Sequence, residues 1–114
     1  RSVFAHGVQL RDDEFQRLSE AGSAIAFCPT SNLFLGSGLF KLMQAKSADF
    51  PVHVGLGTDI GAGTSFSILQ TTHEAYKVVQ LQRHKLSPFK ALFLATLGGA
   101  KALYLDHVIG NFEI

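Results

Sequence analysis

Between residues 51 and 67 an apolar run, Val52-His53-Val54-Gly55-Leu56, passes through Gly57-Thr58 to one carboxylate, Asp59. It continues as Ile60-Gly61-Ala62-Gly63-Thr64-Ser65-Phe66-Ser67. Branched apolar residues favour extended backbone, whereas glycine and serine favour turns and helix starts. A strand that ends on a polar group and turns at once toward a helix is the unit of a parallel α/β sheet. In barrels of that kind the chemistry stands at the C-terminal strand ends. Two earlier segments repeat the plan: Ser2-Val3-Phe4-Ala5 ends at His6, and Ala24-Ile25-Ala26-Phe27-Cys28 ends at Pro29-Thr30-Ser31-Asn32. The expectation is three parallel strands delivering His6, Ser31-Asn32 and Asp59 to one rim.

The intervening chain reads as helices. Asp12-Asp13-Glu14 put negative charge in a first turn, where the helix dipole favours it, Phe15 and Leu18 share a face, and Gly22 suits the left-handed terminator. Residues 32–38 read as a loop, and a short helix is expected around Leu39, Leu42 and Met43. Ile68, Thr72, Ala75 and Val79, with Leu69 and Tyr76 beside them, recur at helical spacing and predict a long amphipathic helix. Ser87-Pro88 reads as an N-cap followed by proline at the first helical position, with Leu92, Phe93 and Leu97 as the buried stripe and Gly98-Gly99 as its breaker. Residues 100–105 read as one more short helix, and residues 109–114 as the start of another strand. The fold class is α/β, built from β/α units in an open sheet or a closed barrel. The first residue is not Met, so a piece of a longer protein is expected.

Composition narrows the function. A net charge of +1 with 10 Lys+Arg scattered along 114 residues gives no basic stripe for nucleic acid. No run is long enough to span a membrane, and one cysteine, Cys28, permits neither an internal disulfide nor a cysteine metal cage. A cytoplasmic protein is expected. The glycines around Thr58 do not make a phosphate loop, because Ile60 stands where a dinucleotide fingerprint needs Gly or Ala and no lysine follows at Walker spacing. His73-Glu74 lacks the second histidine of a helical zinc motif, so His73 is read as surface, as are His84 and His107, while His53 is read as packed and Cys28 as a small buried hydrophobe. His6 and Asp59 remain as candidates: an imidazole and a carboxylate at strand ends are ligand types that a mononuclear metal hydrolase uses.

Phe4-Ala5-His6-Gly7-Val8, Cys28-Pro29-Thr30-Ser31-Asn32-Leu33 and Gly55-Leu56-Gly57-Thr58-Asp59 together resemble the last three strand ends of the amidohydrolase superfamily of metal-dependent deaminases. The stretch from Gly57 to Ser67 most resembles the branch of that superfamily that deaminates guanine. The resemblance implies the last three β/α units of a (β/α)8 TIM-type barrel over residues 1–106, followed by the start of a return to a small β domain over residues 107–114. It also implies one zinc ion per complete active site, a purine substrate, a role in purine breakdown and a homodimeric whole protein. Under it, Asp59 binds the metal, takes a proton from the attacking water and contacts the substrate. His6 hydrogen-bonds that water, and Ser31 and Asn32 support the rim.

The superfamily's His-x-His pair and its His-x-x-Glu segment have no counterpart in these residues. One direct metal ligand falls short of the roughly three protein ligands of a catalytic zinc, so the chain alone is expected to be inactive. Two rivals stand beside this reading: an amidohydrolase acting on another amino- or chloro-substituted heterocycle, and a non-catalytic α/β binding domain.

Overall fold

In a computed structural model that describes residues 1–112, the expected strands form as β1 (Val3–Ala5), β2 (Ala24–Phe27) and β3 (His53–Leu56). They pair in parallel in the order β1-β2-β3, with Phe4 opposite Ile25 and Ile25 opposite Val54. Residues paired across a ladder share a face, so Phe4, Ile25 and Val54 lie on one side and Ala5, Ala26 and Gly55 on the other. Ile25, Phe27, Val52 and Val54 are buried in one cluster with Phe15, Phe40, Leu42, Val78, Val79 and Leu94. Each large side chain so buried contributes roughly 1.5–3 kcal/mol. The Phe27 and Phe40 rings meet at 5.0 Å between centroids. β1 pairs with β2 alone among the described residues, and Phe4 is 52% exposed.

Six helices connect and cover the strands: α1 (Asp12–Glu20), α2 (Pro29–Phe34), α3 (Leu42–Ala45), α4 (Ile68–Leu81), α5 (Pro88–Ala95) and α6 (Leu97–Ala102). Gly22 ends α1 as expected. At φ +60° its N–H reaches Ser19 O at 3.0 Å, and the next N–H, of Ser23, reaches Leu18 O at 2.9 Å, the paired bonds of a Schellman closure. Ser67 and Ser87 cap α4 and α5 by accepting from the N–H groups of Gln70 and Lys90.

Several expectations are corrected. Residues 32–34 are helical rather than loop, because Pro29 begins α2 at its first position and Asn32 N–H bonds Cys28 O at 3.1 Å. The buried face of α4 is Thr71, Ala75, Val78 and Val79 rather than the row through Ile68, while Leu69 and Tyr76 are exposed. Thr71 enters the core at little cost because its hydroxyl donates to Ser67 O at 3.1 Å. In α5 the buried residues are Ala91 and Leu94, whereas Leu92 is exposed. Residues 109–112 make no strand, and residues 113–114 of that expected strand lie outside the described residues.

Gly98 and Gly99 do not break a helix. The break is at Thr96, at φ −130° and ψ −99°, and the glycines sit inside α6. They permit close approach to β3: a Cβ on Gly55 would lie 2.7 Å from Gly99 Cα, and one on Gly98 would lie 2.9 Å from Val54 O. Gly55→Ala should therefore cost about 1–3 kcal/mol, as overpacking does, read as a lower urea midpoint. Gly99→Ala, whose Cβ would meet nothing within 4 Å, should hold or raise the midpoint, since Ala gains up to about 1 kcal/mol over Gly in a helix. Equal losses for both would refute the close-packing account.

Candidate functional site

The parallel ladder continues past the strands and sets the site. His6 N–H donates to Ala26 O and Gly57 N–H to Phe27 O, each at 2.9 Å, so the chain after β1 and the chain after β3 stay tied to β2. Both then turn sharply. His6 and Gly7 are consecutive left-handed residues at φ +68° and +66°, and Asp59 lies at φ +47°. Left-handed backbone costs a non-glycine residue roughly 1–2 kcal/mol, with Asp and His among the tolerant types. The Asp59 turn closes through Gly63 N–H to Asp59 O at 2.6 Å, and a Cβ on Gly63 would fall 1.9 Å from Thr58 O, so glycine is required there.

These turns bring His6, Asn32 and Asp59 together. His6 Nδ1 and Asn32 Oδ1 lie at hydrogen-bonding distance, 2.8 Å, and His6 Nε2 faces Asp59 Oδ2 at 3.8 Å. The His6 and Asp59 side chains remain 40% and 37% exposed, open enough for a small molecule to reach both. Asn32, by contrast, is buried within α2. His6 and Asp59 stand one and three residues beyond their strands, not on the last strand residue, and β1 itself is exposed rather than buried. Ser31 does not touch either: its hydroxyl is buried and donates to Cys28 O at 3.1 Å, fixing the first turn of α2.

The other histidines separate from this cluster. His73 is on the surface of α4, 3.9 Å from Glu74, and His84 and His107 are exposed. His53 is exposed rather than packed inside, its ring edge-on to Tyr104 at 6.3 Å. An imidazole and a carboxylate facing one opening are donors that suit zinc. Among the described residues no group of three or more His, Cys, Asp or Glu side chains could hold a metal. Among the described residues no helix is long and apolar enough to cross a membrane.

Comparison with known proteins extends the picture. The chain matches the amidohydrolase family over residues 1–114. It is 64% identical over 110 residues to guanine deaminase of Escherichia coli, an alignment covering 96% of this chain and 25% of that protein. The solved structure of the E. coli guanine deaminase superposes with a TM-score of 0.92 over 96% of this chain and 25% of that one. An adenosine deaminase from Xanthomonas campestris with bound zinc is 28% identical, with a TM-score of 0.88 over 98% of this chain and 26% of its own. The chain thus spans about a quarter of the length of these relatives.

Cys28 lies beside the cluster, where a Cβ on Gly57 would come within 3.1 Å of its Sγ. Burial pushes its thiol pKa up, and the Asp59 carboxylate pushes the same way. The thiolate is the reactive form, so native Cys28 should react with iodoacetamide at pH 8 at least about a hundredfold more slowly than after unfolding in urea, given burial and suppressed ionisation. Alkylation at the unfolded rate in the native protein would show that the thiol is neither buried nor held protonated.

Proposed function

Because the chain belongs to the amidohydrolase family, we propose that it forms the last three β/α units of a (β/α)8 barrel in a zinc-dependent guanine deaminase, which hydrolyses guanine to xanthine and ammonia. Residues 1–106 would be the barrel portion, and residues 107–114 would begin the return to a small β domain. One observation carries this reading: His6 and Asp59 converge at 3.8 Å on the strand-end rim of a chain 64% identical to a guanine deaminase. Identities of 64% and 42% to the guanine deaminases of Escherichia coli and Mus musculus favour guanine over other amino-substituted heterocycles. The homodimer and the cytoplasmic location belong to the same reading, the latter supported by the single, buried cysteine.

Asp59 would hold the zinc together with ligands from outside these residues. Zinc, when bound, supplies a Lewis acid that draws the pKa of water from about 15.7 toward about 7. Asp59 accepts a proton from the attacking water and returns it to the substrate as the amino group leaves, a positioned acid/base step worth about 10² to 10⁴ in rate. His6, across the opening, orients the same water. The left-handed turn at Asp59 and the ladder bond at His6 keep the two groups facing each other before substrate arrives, which reduces the reorganisation that the reaction requires.

Three variants of the whole protein test the roles. Asp59→Asn keeps the shape and removes the proton acceptor, so kcat should fall at least about a hundredfold while guanine binding is lost less. His6→Ala should lower kcat by a similar factor and retain more zinc by elemental analysis. His73→Ala, on the surface of α4, should behave as the wild type. Near-normal turnover by Asp59→Asn, or faster turnover of adenosine than of guanine by the wild type, would overturn the assignment.

A further inference from the structure

Asn32 is 2% exposed, and its Oδ1 lies 2.8 Å from His6 Nδ1. A carbonyl oxygen only accepts, so the ring proton sits on Nδ1. In the neutral imidazole Nε2 then carries a lone pair, and this is the nitrogen that faces Asp59 Oδ2 at 3.8 Å. Two acceptors at that separation have no hydrogen bond to share. A donor with two protons, of which water is the smallest, can bridge the two from the side of the opening. Asn32 Nδ2 is buried with no hydrogen-bond partner among the described residues, so the contact with His6 alone sets which end of the amide faces the ring. The opposite amide orientation would place Nδ2 against Nδ1, move the ring proton to Nε2 and present a donor to Asp59.

We propose that Asn32 is a positioning residue for His6. It holds the imidazole in the Nδ1–H form and fixes its plane, so that the Nε2 lone pair and the Asp59 carboxylate together receive the two O–H groups of the attacking water. The role given to the water rests on the deaminase reading; the tautomer does not. Asn32 itself is sealed from the opening and acts only through the ring.

Two measurements on the whole protein test this. In ¹⁵N-histidine-labelled protein, with the His6 signals assigned by their loss in His6→Ala, Nδ1 should show the protonated shift and Nε2 the unprotonated one, and Asn32→Leu should mix the two. This spectrum of the wild type stands even where Asn32→Leu folds poorly or guanine is not turned over, which separates failure of the proposal from failure of the deaminase reading. In a double-mutant cycle, Asn32→Leu should lower kcat by about tenfold or more with KM and zinc content little changed, and should cause no further loss in the His6→Ala background. A wild-type His6 protonated at Nε2 alone, or the same fold loss from Asn32→Leu with and without His6, would overturn the proposal.

Discussion

The parallel register of three short strands is the constraint on which the rest of this structure depends. Because β1 and β3 both run alongside β2 in the same direction, their C-terminal ends arrive at one edge of the sheet. The ladder bonds from His6 to Ala26 and from Gly57 to Phe27 carry that alignment beyond the strands themselves. Residues 53 apart in sequence then face each other without any contact between the loops that carry them having to specify it. Slipping β1 by one residue against β2 would turn Phe4 away from the face it shares with Ile25. It would also move His6 away from Asp59, so the packing of the core and the geometry of the site are set by the same register.

Backbone strain is concentrated where the strands end. Four non-glycine residues among those described have positive φ: His6, Asp59, Arg83 and Tyr104. The last two close helices, Arg83 just after α4 and Tyr104 just after α6, where left-handed residues commonly sit. His6 and Asp59 are different, since each follows a strand and each is the residue that faces the opening. Such conformations persist only when the surroundings over-determine them. Here that is done by the His6 N–H bond to β2 and by the Gly63 turn that grips the Asp59 carbonyl.

Much of this was legible in the sequence, and the parts that were not share a physical cause. The strand ends could be read because apolar runs closing on a polar residue have a short-range signature, as do the caps at Ser67 and Ser87 and the terminator at Gly22. The helix faces were less legible. In α4, apolar spacing points to the Ile68 row, but the buried face begins at Thr71, a polar residue whose hydroxyl is satisfied locally. Gly98-Gly99 read as a breaker because glycine weakens isolated helices. Only the three-dimensional closeness of β3 explains why position 98 inside α6 has no room for a side chain. The Asn32 bond to His6 is illegible for the same reason: it spans 26 residues and depends on α2 running from Pro29 through Asn32, whereas residues 32–38 read as a loop.

That helix start is what turns a list of strand-end residues into a site. Were residues 29–34 irregular, Asn32 would be free to meet solvent, and His6 would have a mobile partner or none. As the first turn of α2 is pinned by Ser31 and Asn32 to the carbonyl of Cys28, the amide is held in the protein interior, at the foot of the imidazole. The imidazole in turn stands on a backbone locked to β2. Each exposed group at the opening is thus backed by a buried one that leaves it little freedom: His6 by Asn32, and Asp59 by the Gly63 turn. This arrangement lies entirely within three strands and one short helix. The fixed geometry of the His6–Asp59 pair is therefore a local property of these residues.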